Sequence, residues 1–212
     1  MEPNFWHKKW QDSDIGFHNS DANPLLVKHF YALGLAPNSR VFLPLCGKTL
    51  DIHWLLAQGY QVIGAELSPL AIGQLFEELG VMPEITQLES LQHYSAPNID
   101  IFVGDIFNLT NNLIGEVDAI YDRAALVALP FEMRMQYTSH LKAITHYAKQ
   151  LLICFEYDQS QLAGPPFSIS NEEINTHYGA DYRLTLLESA EVIGKLKGQC
   201  PAHENVWLLL RD

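Results

Sequence analysis

The residues of this chain best suited to chemistry stand just after short apolar runs. Gly47, within Pro44-Leu45-Cys46-Gly47-Lys48-Thr49, permits a tight turn and close approach of backbone to a ligand. Glu66 follows the apolar run 61–65. It lies about 20 residues beyond Gly47, the spacing at which a carboxylate accepts both hydroxyls of a ribose. Asp105 and Ile106 follow the run 99–103 and offer a hydrogen bond and an apolar surface to a base such as adenine. Arg123, after 117–121, presents paired N–H donors that suit a ligand carboxylate. Near the start, Trp6 and Trp10 share a face if their segment is helical. Such a face can exclude water and attract a cation through the ring quadrupoles. Together these types suit a nucleotide-like cofactor.

Each residue also has a plainer use. Gly47 fits a simple turn, Glu66 a solvated carboxylate, and Arg123 an ion pair with Asp122 or a glutamate. The tryptophans fit a staple for the terminal segment. Gly47-Lys48-Thr49 ends like a phosphate loop, but Phe42 stands where that motif needs glycine. The GxGxxG fingerprint is absent too, so no glycine-rich turn cradles a pyrophosphate.

Positioning these residues requires a sheet. Runs at 40–46, 61–65, 99–103, 117–121 and 150–155 read as strands, and 50–57, 69–78 and 131–149 as helices. Leu50, Trp54 and Ala57 recur at helical spacing, and Ser68 before Pro69 suits an N-cap and first-turn proline. Residues 124–129 form a short helix or turn. Strands alternating with helices indicate βαβ units and a parallel sheet covered on both faces. The last runs, 182–187 and 205–210, are separated by 188–204, which is no tight hairpin. The expected fold is therefore α/β: a doubly wound, seven-stranded, mostly parallel sheet with helices on both faces and the last strand antiparallel. Its ligand sits beyond the carboxyl ends of the strands, where the strand order switches. That ending is similar to class I methyltransferases and unlike a nicotinamide-binding Rossmann domain.

Composition narrows the function. A chain of 212 residues suits one domain over 1–212, with 1–30 as an aromatic segment covering the active site. Its 48% apolar and 18% charged residues are ordinary for a globular protein. No apolar run approaches about 18 residues and no signal-like start is present, which argues against a membrane span or secretion. Cys46, Cys154 and Cys200 form no CxxC pair, so a reducing cytoplasm fits best. A net charge of −12, with His7-Lys8-Lys9 as the longest basic cluster, argues against nucleic acid. The nine histidines show no metal-ligand spacing, so no metal is expected. A monomer acting on a small molecule is the expected form.

Six motifs occur in order: Trp6 and Trp10 with Ile15-Gly16-Phe17-His18; Phe42-Leu43-Pro44-Leu45-Cys46-Gly47-Lys48; Gly64-Ala65-Glu66-Leu67-Ser68; Asp105-Ile106-Phe107; Tyr121-Asp122-Arg123-Ala124-Ala125-Leu126; and Gly164-Pro165-Pro166-Phe167. Over residues 5–170 the chain thereby resembles the thiopurine S-methyltransferase family. The resemblance implies a class I methyltransferase fold, S-adenosylmethionine as cofactor, S-adenosylhomocysteine as product, and no metal. It places cofactor contacts at Trp6, Trp10, Leu45, Glu66, Ile106 and Arg123, with Asp105 adjacent, and an acceptor contact at Phe17. The implied reaction is in-line methyl transfer to a small sulfur nucleophile such as a thiopurine or aromatic thiol. Aromatic thiols are appreciably ionised near neutrality, so no catalytic base is assigned, although Asp122 and His18 are candidates. The alternatives are selenium or tellurium acceptors, a nicotinamide-dependent oxidoreductase, and a non-catalytic cofactor-binding protein. Beyond residue 185 the pattern departs from the family: 195–203 holds no arginine, which leaves the particular acceptor open.

Overall fold

Val41 and Leu43 point to one side of strand β1 (Arg40–Leu43) and Phe42 to the other, and all three are buried. Side chains alternate along a strand, so a strand whose apolar residues point to both sides needs cover on both faces. The computed structural model, which describes residues 3–16 and 18–211, supplies that cover. Its other strands are β2 (Gln61–Glu66), β3 (Glu84–Gln87), β4 (Gln92–Ala96), β5 (Ile99–Val103), β6 (Ala119–Arg123), β7 (Lys149–Tyr157), β8 (Arg183–Glu191) and β9 (Ala202–Leu210). They form one sheet in the order β3-β4-β5-β2-β1-β6-β7-β9-β8.

The five strands β5, β2, β1, β6 and β7 are mutually parallel, and β9 inserts antiparallel between β7 and β8. This is the expected doubly wound sheet with its reversed last strand. Two further strands, β3 and β4, extend it as a hairpin on the β5 edge. The sequence hid them because β3 is exposed at every position and carries no apolar alternation.

Helices α1 (Pro3–Gln11), α2 (Pro24–His29), α3 (Leu50–Ala57), α4 (Pro69–Leu79), α5 (Asn111–Ile114), α6 (Phe131–Ile144) and α7 (Asn171–Tyr178) surround the sheet. Leu26, Ile52, Leu55, Ile72 and Leu75 of α2, α3 and α4 fill the core on one face. Tyr137, Leu141, Ile174 and Tyr178 of α6 and α7 fill the other. Burying each such side chain contributes about 1.5–3 kcal/mol. The start of α4 is as expected: Ser68 Oγ accepts from Ala71 N–H at 3.3 Å and Pro69 occupies the first turn.

Several boundaries differ from the sequence expectation, and β1 ends at Leu43 rather than 46. Helix α6 ends at Ile144 rather than 149, because His146 and Tyr147 take positive φ and turn the chain into β7. Strands β8 and β9 lengthen toward each other and leave the loop 192–201. Strand β6 runs through Arg123, so Asp122 and Arg123 are strand residues rather than a following turn. Among the described residues no helix is long and apolar enough to cross a membrane.

Candidate active site

The strand order reverses at β1, which has β2 on one side and β6 on the other. The carboxyl ends of these strands and of β5 gather most of the sequence candidates. Beyond Leu43 the chain turns sharply, with Leu45 and Gly47 both at positive φ, 47° and 53°. Cys46 N–H still donates to Ala65 carbonyl at 2.9 Å, so the turn stays tied to β2. Gly64 is what lets Cys46 come so near. A Cβ there would lie 2.9 Å from Cys46 Sγ and 2.6 Å from Ile101 Cδ1.

Glu66 closes this turn. One carboxylate oxygen accepts from Gly47 N–H at 2.8 Å and the other from Ser68 N–H at 2.8 Å. The side chain is only 6% exposed. Burial pushes its carboxyl above the ordinary range, while the backbone N–H groups of Ser68, Gly47 and Leu67 oppose that shift. A carboxylate offers about four lone-pair sites, so acceptor capacity remains beside these backbone donors. A ribose hydroxyl fits that need.

After β5, Asp105 is exposed and caps the 3-10 turn 106–108, its Oδ1 accepting from Phe107 N–H at 3.0 Å. Ile106 is buried, 6% exposed, in the core on the α6 face. At the amino end, Trp6 and Trp10 both lie on α1, which packs against α4. Trp10 is buried and its indole covers Gly47, whereas Trp6 is half-buried and meets Phe5 edge to face at 5.2 Å. Phe17 lies outside the described residues. Its neighbour His18 is half-buried. Burial, then the charges of Lys48 and Arg123, lower its pKa and favour the neutral ring. Lys48 is itself paired with Glu78 at 2.6 Å.

Asp122 and Arg123 are adjacent on a strand and therefore face opposite sides of the sheet. Asp122 is fully buried under α6, accepting from Tyr137 hydroxyl at 2.7 Å and from Leu126 N–H at 3.2 Å. Burial raises its pKa to about 6 against these hydrogen bonds. This placement does not favour the plainer reading that pairs Asp122 with Arg123, and Asp122 acts as a core anchor for the segment after β6.

On the Arg123 side lies a polar network that the sequence did not announce. Asp51, 1% exposed at the start of α3, accepts from Asn23 N–H at 2.6 Å and from Tyr121 hydroxyl at 2.9 Å. Asn23 also caps α2 by accepting from Leu25 N–H at 2.8 Å. Glu204 of β9 joins them. Burial raises its pKa, and Arg123 and a hydrogen bond from Asn23 oppose the rise. Asp51 reads in sequence as an ordinary first-turn acidic residue after Thr49, and nothing local separates the two uses.

Loops adjoin the segment that follows Arg123. Tyr157 hydroxyl donates to Pro166 carbonyl at 2.6 Å, and Phe167 N–H to Val127 carbonyl at 2.6 Å. These bonds fasten the 164–167 turn to the end of β7 and to the segment that follows Arg123. Lys197 Nζ donates to Pro165 carbonyl at 2.7 Å and lies near Asp14. The loop 192–201, which lacks the family's arginine, therefore still reaches this turn through a lysine.

Among the described residues no group of three or more histidine, cysteine or acidic side chains is arranged to hold a metal. Cys46, Cys154 and Cys200 are all buried thiols without disulfide partners.

Residues 1–211 match the family model described as thiopurine S-methyltransferase. A thiopurine S-methyltransferase of Xanthobacter autotrophicus is 59% identical over 212 residues, covering 100% of both chains. One of Teredinibacter turnerae is 50% identical, covering 100% of this chain and 99% of its own. Among solved structures, a SAM-dependent methyltransferase of Anabaena variabilis superposes with TM-score 0.65 at 18% identity, covering 98% of this chain and 95% of its own. The Burkholderia thailandensis 1,6-didemethyltoxoflavin-N1-methyltransferase, solved with S-adenosylhomocysteine, superposes with TM-score 0.67 at 16% identity, covering 99% and 86%. At such identities the two structures speak to the fold alone.

Proposed function

Because the chain belongs to the thiopurine S-methyltransferase family, we propose that it transfers a methyl group from S-adenosylmethionine to the sulfur of a small acceptor such as a thiopurine or aromatic thiol. The observation that carries this reading to particular residues is the buried Glu66 carboxylate at the switch point. It holds the turn through Gly47 and retains acceptor capacity for a ribose hydroxyl. In this reading Glu66 takes the ribose, and Ile106 and Asp105 take the adenine by packing and hydrogen bonding. Leu45 lies against the cofactor at the left-handed turn, and Arg123 pairs with the methionyl carboxylate. Trp6 and Trp10 cover the sulfonium and exclude water.

The cofactor supplies a positively charged sulfur whose methyl group is open to displacement. The protein's share is alignment: an in-line displacement gains most from fixing the nucleophile and methyl carbon at one distance and angle. An acceptor ionised near neutrality needs no base. His18, whose neutral form burial favours, feels the charge of Arg123 and is assigned a hydrogen bond to the acceptor, whereas Asp122 is enclosed in the core. Phe17 is assigned to the acceptor. The whole chain acts as one catalytic unit, in our reading a cytoplasmic monomer.

The test is transfer of radiolabelled methyl from S-adenosylmethionine to a panel of thiopurines, aromatic thiols, selenite and tellurite. Labelled S-methyl product is expected. Cofactor binding by calorimetry with no transfer to any acceptor would overturn the catalytic reading. Phe17→Ala should raise the acceptor KM with little change in cofactor affinity; the opposite pattern would remove Phe17 from the acceptor side.

A further inference from the structure

A buried cation lies beneath the acceptor-side turn. Arg134 of α6 is only 5% exposed, and its Nε stands 2.7 Å from Glu173 Oε1 of α7. The same oxygen takes His177 Nε2 at 3.1 Å, and His177 Nδ1 lies 3.4 Å from Thr138 Oγ1 back on α6. The guanidinium is therefore fixed on one side by an ion pair that is itself held in place. Its Nε meets that carboxylate as an ion pair without hydrogen-bond geometry, and Nη1, also buried, has no hydrogen-bonding partner among the described residues.

What the guanidinium meets on that side is aromatic. Its carbon lies 5.5 Å from the Phe131 ring centroid and 5.8 Å from that of Phe167. A buried charge short of oxygen acceptors is costly, and ring faces offset part of the cost when water is excluded. Arginine suits this arrangement because its planar guanidinium can pair edge-on with a carboxylate and lie against a ring.

Phe167 is the residue through which this cation reaches the site. It ends the Gly164–Phe167 turn and donates its N–H to Val127, in the segment after Arg123. Gly164 has φ 77°, and a Cβ there would lie 2.6 Å from the Phe167 ring. The turn's backbone is thus wrapped against the ring that Arg134 contacts, while its carbonyls take Lys197 and Tyr157.

We propose that Arg134 is a positioning residue for the methyl acceptor: anchored by Glu173, it holds the Phe167 ring and so fixes the 164–167 turn as one wall of the acceptor pocket. This rests on the methyltransferase reading above and deepens it. Arg134 touches neither cofactor nor reacting atoms.

The test uses the full chain with the double substitution Arg134→Met and Glu173→Gln, which removes both charges and so leaves no unpaired buried ion. With 6-mercaptopurine as acceptor probe, its KM should rise about fivefold or more while kcat stays within about twofold. The cofactor dissociation constant by calorimetry should also stay within about twofold. Amide hydrogen exchange over 162–168 should quicken by about tenfold, with α6 and α7 still protected. Arg134→Lys keeps a cation near the rings and provides a milder second variant, expected to show the same pattern at smaller size. Unchanged acceptor KM with unchanged exchange would overturn the proposal. So would an equal loss of cofactor affinity and thermal stability without a selective effect on the acceptor, the mark of a purely structural residue. If the wild-type protein methylates no acceptor, the functional reading fails on its own, and the exchange comparison still decides whether Arg134 holds the turn.

Discussion

Trp10 occupies the space that a side chain at Gly47 would need, its indole lying 2.9 Å from where a Cβ would stand. The amino-terminal helix thus packs against the turn after β1 at Gly47, whose N–H donates to Glu66. Gly47 also has φ 53°, where a Cβ costs about 1–2 kcal/mol. Gly47→Ala is expected to strain the turn and push Trp10 outward. Tryptophan emission should shift to longer wavelength and cofactor affinity should fall. Unaltered emission with full affinity would show that the contact does not constrain the site.

Glu66 has two duties, and a substitution should reveal both. Glu66→Ala leaves the Gly47 and Ser68 N–H groups without their acceptor. Each lost partner costs about 1–3 kcal/mol when the donor stays buried. The midpoint of urea unfolding should fall, and S-adenosylmethionine should bind at least about tenfold more weakly by calorimetry, equivalent to about 1.4 kcal/mol. A stability loss with unchanged affinity would remove Glu66 from the ribose.

Asp122 makes stability depend on pH in a direction opposite to that of most carboxylates. Its folded pKa is raised from 3.8 to about 6, so the protonated form is the one that folding favours. Its contribution is fully present below the unfolded value and is lost as pH rises through about 6. Asp122→Asn stays neutral throughout. Between pH 4 and pH 7 the stability difference should move in favour of the variant by about 3 kcal/mol, following from roughly two pKa units. Chemical denaturation of both proteins across that range checks this, and a pH-independent difference would refute it.

Tyr121→Phe deletes only the hydroxyl that donates to Asp51 at 2.9 Å, leaving a 1% exposed carboxylate that keeps the Asn23 N–H bond but loses this donor. A cost of about 1–3 kcal/mol is expected. Because Asn23 also caps α2, amide exchange at Leu25 and Leu26 should quicken. Wild-type stability in the variant would mean that the network is not coupled to the helix.

How much of this was legible follows from the range of each signal. The central strands could be read because they are buried on both faces and carry continuous apolar runs. Strand β3 could not, since an exposed edge needs no such run. Trp6 and Trp10 at four-residue spacing announced a shared helical face, and α1 carries both. The helix end at Ile144 was overrun because the left-handed conformations of His146 and Tyr147 carry no local glycine signal.

The sequence by itself determined the alternation of strands and helices, the turn at Gly47 and the placing of Glu66 at the end of its strand. Those features depend on contacts and conformations within a few residues or on a periodicity of side chains. Only the tertiary structure decided that neighbouring Asp122 and Arg123 serve opposite faces. It alone brought Asn23, Asp51, Tyr121 and Glu204 together, and seated Arg134 beneath Phe167. A buried polar group must find its partner wherever the folded chain supplies one, and that partner can be far away in sequence. No spacing rule records such a meeting, because the chain entropy of closing the intervening loop grows only slowly with its length.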